Sequence, residues 1–204
     1  MILNESNEKE DYTELQRIMV QEIGAIQRGL NTKIYLRQNP SARKEANLKV
    51  WKKFLGDVSC RAIQLYLNRI INNINLKVVG PNVYINGISN EIDLLIVKLG
   101  SNPIYITSMY QEEDIISAIE VKTNAKFDNK TIEEQLKIFD RIKALHSGID
   151  CLYVAIHGSN NAYKKIKEEL NKKGYGAFVF ENENTQVYFT GEFEDLINRI
   201  KKTL

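Results

Sequence analysis

Asp93, Glu120 and Lys122 are charged residues set in or beside apolar runs, where charge is costly to bury. Glu120 and Lys122 close the segment IISAIEVK (115–122), and Asp93 stands in EIDLLIVK (91–98). Strand alternation predicts Ile116, Ala118, Glu120 and Lys122 on one face of the first segment, and Ile115, Ser117, Ile119 and Val121 on the other. In the second segment it puts Glu91 and Asp93 together. Buried charges persist when they pair or hold a metal ion. If the two segments are neighbouring strands, Asp93, Glu120 and Lys122 converge on one point, two carboxylates beside an ammonium.

The elements that must position these residues are legible in the hydrophobic periods. After an acidic stretch read as a flexible tail (1–12), Leu15, Ile18, Met19, Ile23 and Ile26 recur at helical spacing, with Asn31 just past the end. Pro40-Ser41 opens a second helical stretch that Gly56-Asp57 interrupts, and Asp57 can cap a third carrying Ala62, Leu65, Tyr66, Ile70 and Ile71. From Leu76 the period turns strand-like. Residues 76–85 and 91–98 read as a β-hairpin about Asn86-Gly87, followed by a short strand at 104–107 and the strand 115–122. Thr131 and Glu134 form a T-x-x-E capping box for a helix running to about His146. A buried strand (151–157), a helix (about 160–173) stopped by Gly174, strands at 177–180 and 187–189, and a final helix (193–202) complete the chain. The order predicts one α/β domain over 13–204, with a helical part (13–75), a core of about 41–157 and a C-terminal α-β-β-α unit (158–204). Its fold is a mixed β-sheet flanked by helices on both faces.

Charge is unevenly spread. The net value is only +2. Residues 33–77, however, carry ten basic groups (Lys33, Arg37, Arg43, Lys44, Lys49, Lys52, Lys53, Arg61, Arg69 and Lys77) against Glu45 and Asp57, and residues 78–122 carry six acids against Lys98 and Lys122. A basic block before an acidic centre suits a polyanion-binding surface beside a cation-binding pocket. Lysines on solvated helix faces produce the same pattern.

The set Asp93, then Glu120-Val121-Lys122, resembles the PD-(D/E)XK phosphodiesterases, the restriction-endonuclease-like superfamily. Their α-β-β-β-α-β core matches the element order of residues 41–157. Ile92 stands where the first motif has proline, and the 27 residues from Asp93 to Glu120 place an insertion in the irregular 99–114 connection. Gln135 in QLKIF (135–139) is similar to the Gln-apolar-x-x-Tyr motif of the RecB-like branch, with Phe139 in place of tyrosine. Gln135 also shares a helix stripe with Ile132, Leu136, Phe139 and Ile142, where a buried amide needs a partner.

The resemblance implies a metal-dependent DNA endonuclease of restriction type. Asp93 and Glu120 would ligate Mg2+, with Mn2+ as a substitute, and the Val121 carbonyl would be a further ligand. Lys122 would orient water or stabilise charge on phosphorus, and Gln135 would hold the lysine, the water or the phosphate. Glu91 and Glu45 are weaker acidic candidates. The partner implied is DNA, tracked along its backbone by the basic helices, and restriction-type members cut as homodimers, so a homodimer is expected. A branch-cutting or repair nuclease, and a catalytically silent binding or interaction module, share these residues.

Other signals bound the reading. The chain is 43% hydrophobic and 26% charged, which excludes disordered and fibrous classes, and its apolar runs are too short to span a membrane. The start MILNESNEKEDY lacks the apolar core of a secretory signal, so a cytoplasmic protein is expected. Cys60 and Cys151 are too few and too far apart for a disulfide framework and read as buried small hydrophobes. His146 ends a helix and His157 ends a strand, neither with a second histidine nearby. Trp51 reads as core or interface.

Overall fold

The apolar segments from Leu76 to Tyr188 build a six-stranded sheet in the computed structural model, which describes residues 5–29, 45–71, 74–104, 107–123, 129–182, 187–189 and 191–203. The strands are β1 (Leu76–Val79), β3 (Leu94–Lys98), β5 (Ile115–Lys122), β6 (Asp150–Gly158), β7 (Gly176–Asn182) and β8 (Val187–Tyr188), neighbours in that order. β1, β3 and β5 run antiparallel, β5, β6 and β7 parallel, and β8 returns antiparallel to β7. Each parallel step needs a crossover. The helices α3 (Asn129–Leu145) and α4 (Asn160–Lys172) supply them. A separate parallel pair joins β2 (Tyr84–Ile85) to β4 (Met109–Tyr110).

Helices cover both faces. On one, α1 (Glu5–Gly29), α2 (Glu45–Ile71) and α5 (Glu192–Lys202) press Met19, Ile23, Ile63, Leu67, Phe193 and Ile197 onto Leu94, Ile119 and Val154. On the other, α3 and α4 press Phe139, Ile142, Ile166 and Leu170 onto Leu95, Ala118, Tyr153 and Val179. Two covered faces explain why β6 is apolar along nearly its whole length rather than alternating. The expected mixed sheet with helices on both faces is the architecture observed. Among the described residues no helix is long and apolar enough to cross a membrane.

Several expected boundaries move. The first helix starts at Glu5 rather than after Tyr12, because no glycine or proline interrupts 5–23. The second and third predicted helices are one, α2, which runs through Gly56; interior glycine costs a helix only about 1 kcal/mol, and the packed apolar stripe on either side outweighs it. α3 opens at Asn129, ahead of Thr131. Asn31 and Pro40-Ser41 lie outside the described residues.

The hairpin is interrupted. Gly80 adopts φ +139°, and Pro81 lacks an N–H for a ladder, so the strand predicted over 76–85 ends at Val79. Val79 still faces Leu95, and Val83 bridges to Ile92, but Tyr84–Ile85 leaves to pair with β4. The strand expected at 104–107 is displaced to Met109–Tyr110: Thr107 N–H closes a turn onto Ile104 O, and Tyr105 and Ile106 are outside the described residues.

β5 also departs from strict alternation. Leu95 faces Ala118 and Ile96 faces Ser117, but Val97 faces Ile115, so Ile116 is an extra residue. Such a bulge inverts the pattern on one side of itself. Ile115 therefore shares the face of Ala118, while Ile116 turns to the opposite core, the reverse of the expected assignment for these two.

Candidate active site

The antiparallel register brings the first carboxylate to the second. Leu94 pairs with Ile119, so one step beyond the ladder Asp93 falls opposite Glu120 on the face that α3 and α4 cover. Asp93 Oδ2 accepts the Val121 N–H at 2.7 Å, from the residue between Glu120 and Lys122. Lys122 Nζ donates to Glu120 Oε1 in an ion pair. Glu120 is nearly enclosed, with 13% of its side chain exposed, whereas Lys122 keeps 39%. The site is thus closed behind the carboxylates and open at the ammonium.

Its electrostatics are those of crowded like charges. Burial, then the facing Asp93, pushes the Glu120 carboxyl up to about 7, against the pull of Lys122. Asp93 is also raised, first by burial; Lys122 and the Val121 N–H oppose that, and Glu91 and Asp57 add to it. Burial pulls the Lys122 ammonium down, but Glu120 and Asp93 together outweigh it and hold the group above its ordinary value. Shifts of this kind gather where charges are kept for a task.

Gln135 is on α3, 6% exposed, within the stripe of Ile132, Phe139 and Ile142, and its Nε2 has no hydrogen-bond partner among the described residues. An orphaned buried amide costs about 1–3 kcal/mol, so this one is retained against stability. Glu91 takes another course: it is exposed, accepts the Tyr84 hydroxyl at 3.1 Å and lies 3.7 Å from Lys53 Nζ. It acts on the pair only through its charge. The side chain of Glu45 lies outside the described residues.

Three contributors were not singled out from sequence. Tyr153 pairs in register with Glu120 on β6 and is fully buried; burial, then Glu120 and Asp93, drives its phenol upward. A lone tyrosine within the aliphatic run CLYVAIH was the available signal. Asp57 of α2 adds its negative charge from the opposite side. Gly80 lets the chain pass Asp93: a Cβ there would come 2.5 Å from the Asp93 carbonyl oxygen. Cys60 and Cys151 are free and buried, as expected.

The donor set fits Mg2+. Among the described residues no three His, Cys, Asp or Glu side chains form a cage, but Mg2+ is commonly held by one or two carboxylates with water and phosphate oxygens filling the rest. Asp93 and Glu120 would supply such a pair. The N–H and C=O of one strand residue project to the same side. The Val121 carbonyl, like its N–H, is therefore directed past the start of β3 rather than into the β6 ladder.

Comparison with known proteins places the architecture. NucC from P. aeruginosa ATCC27853, in a cAAA-bound form, superposes with a TM-score of 0.61 at 12% identity, covering 96% of this chain and 91% of that chain. NucC from E. coli MS115-1, in an apo form, gives 0.52 at 14% identity, covering 72% and 83%. The fold is restriction-endonuclease-like. No family model and no curated protein matches the chain. At these identities the likeness establishes the fold alone, and the chemistry rests on the residues.

The basic block is only partly described. Lys33, Arg37, Arg43 and Lys44, and the side chains of Lys49 and Lys52, lie outside the described residues. Of the others, Arg61 donates to Gln64 at 2.9 Å, Arg69 lies 5.9 Å from the Tyr66 ring centre, and Lys77 donates to the Ser101 carbonyl at 2.5 Å.

Proposed function

We propose that the chain is a metal-dependent endonuclease that hydrolyses DNA phosphodiester bonds at the Asp93–Glu120–Lys122 site. One observation carries the reading. On this fold, two carboxylates and a lysine are joined where β5 ends beside the start of β3, through the Val121 N–H and the Glu120–Lys122 ion pair. A binding module gains nothing from paired acids beside phosphate, whereas phosphodiester hydrolysis needs such a set.

Bound at Asp93, Glu120 and the Val121 carbonyl, Mg2+, or Mn2+ in its place, would polarise the phosphoryl group and acidify a water. Asp93 is held to β5 and presents its other oxygen. Glu120, once released from Lys122, presents a second charge. Lys122, at the open side, then faces the substrate, where its ammonium steadies negative charge growing on phosphorus. Gln135 brings a donor, its Nε2, to the same face. Positioning and charge supply most of the catalysis in this arrangement.

The substrate class and the assembly extend the same reading. The resemblance to restriction-type enzymes supports DNA as substrate and a homodimer as the cutting form. The test incubates supercoiled plasmid with Mg2+ or Mn2+ and wild-type, Asp93→Ala or Lys122→Ala protein, with molar mass measured by light scattering. Nicking or linearisation by the wild type alone is expected. Equal cutting by all three proteins, or none by any with either metal, overturns the proposal and in the second case favours a silent binding module.

A further inference from the structure

A second polar pair stands on the same face of the sheet, at the carboxyl ends of the next two strands. His157 near the end of β6 is in register with Glu181 of β7, and His157 Nδ1 is in contact with Glu181 Oε2. Both are enclosed, with 13% and 11% of their side chains exposed. They replace the apolar residues that precede them on this face, Tyr153 and Ala155 on β6 and Ala177 and Val179 on β7. In open α/β sheets the carboxyl ends of parallel strands are where ligands bind.

The register relates this pair to the site. Lys122 faces Ala155, and His157 lies two residues further along the same face. Strand spacing and rise put the Cα atoms of Lys122 and His157 roughly 8 Å apart. That separation is too long for both side chains to serve one phosphoryl oxygen, but it suits the next phosphate along a strand. The chain then turns through Gly158, where a Cβ would come 2.9 Å from Val179, and enters the 13-residue helix α4 at Asn160. The amino end of that helix adds partial positive charge at the same corner.

We infer that His157, oriented by Glu181, is a substrate-contacting residue that holds the backbone phosphate adjacent to the scissile one. The carboxylate takes Nδ1 as its donor and leaves Nε2 as the ring nitrogen open to another partner. Held between that carboxylate and an anionic phosphate oxygen, the ring donates from both nitrogens, Nδ1–H to Glu181 and Nε2–H to the phosphate. The inference rests on the nuclease reading of the neighbouring site.

Two variants separate this role from a structural one. In His157→Gln the amide nitrogen takes the place of Nε2, whereas in His157→Asn it takes that of Nδ1 and nothing reaches the phosphate. Cleavage kinetics on a fluorescein-labelled duplex with Mg2+, and anisotropy of the same duplex with no metal, measure both variants. His157→Asn is expected to raise KM and Kd about tenfold, the worth of one hydrogen bond to a charged group, with kcat within about twofold. His157→Gln is expected to stay within about threefold of wild type. Rescue by asparagine and not glutamine, no change in either, or a fall in kcat at constant KM overturns the inference. If wild-type protein binds the duplex without cutting it, the nuclease reading fails and the anisotropy series alone decides the phosphate contact.

Discussion

Asp93 is bound to the strand that carries Glu120: its Oδ2 accepts the Val121 N–H at 2.7 Å, so the two carboxylates are set by one hydrogen bond and one strand register. The restraint acts on the side chain itself. It fixes where the negative charge sits before any ligand arrives, the condition that makes electrostatic stabilisation effective.

Replacing Asp93 by asparagine keeps an oxygen for Val121 and removes the charge. Cleavage is expected to fall at least about 100-fold, on the scale of losing a group that acts on the transition state. The metal-free protein is expected to melt no lower than wild type, because a buried charge facing Glu120 is gone. Differential scanning calorimetry with and without Mn2+ checks this. A large loss of metal-free stability would show that Asp93 is a structural acceptor only.

Glu120 makes the protein pH-sensitive in a defined direction. Its folded-state value is raised from 4.5 to about 7. Between those values the folded protein keeps a proton that the unfolded chain has released. Metal-free stability is therefore complete below about 4.5 and declines as pH rises through 7, by an amount on the order of 3 kcal/mol. Divalent-metal affinity runs the other way, rising about tenfold per pH unit below 7 as the proton is displaced, then levelling. Glu120→Gln is expected to flatten both slopes, leaving only the contribution of the raised Asp93 carboxyl. Urea titrations from pH 4.5 to 8 read the first, and isothermal titration with Mn2+ the second.

Two glycines give opposite outcomes on alanine substitution. At Gly56, inside α2, nothing lies within 4 Å of an added Cβ, and Gly56→Ala is expected to stabilise by about 0.5–1 kcal/mol. At Gly80, φ is +139° and the added atom meets the Asp93 carbonyl oxygen at 2.5 Å. Gly80→Ala is expected to displace Asp93, lowering both melting temperature and cleavage. A stable Gly80→Ala protein with full activity would show that the β1–β3 connection does not position the site.

Gln135→Leu separates stability from chemistry. It fills the same space on the α3 stripe and removes a buried amide whose Nε2 has no partner among the described residues. Stability is expected to hold or to rise by about 1 kcal/mol, while kcat falls. Loss of stability with unchanged kcat would place Gln135 in the core alone.

The residues of the candidate site were legible before the fold because charge in an apolar strand is costly and so carries information. Glu120 and Lys122 announce themselves within 115–122, and Asp93 before 94–98, from local sequence alone. The order of helices and strands, and the layered class that it implies, came from periodicity of the same local kind.

Tertiary structure decided what depends on partners distant along the chain. The register Leu94–Ile119 that sets Asp93 opposite Glu120, the bulge at Ile116, the passage of Gly80 over Asp93, and the pairing of His157 with Glu181 are written in no single segment. Local sequence sets which face a residue occupies through the period of its own strand. Which neighbour it meets across that face is set by non-local pairing, whose energy exists only once the whole sheet has formed.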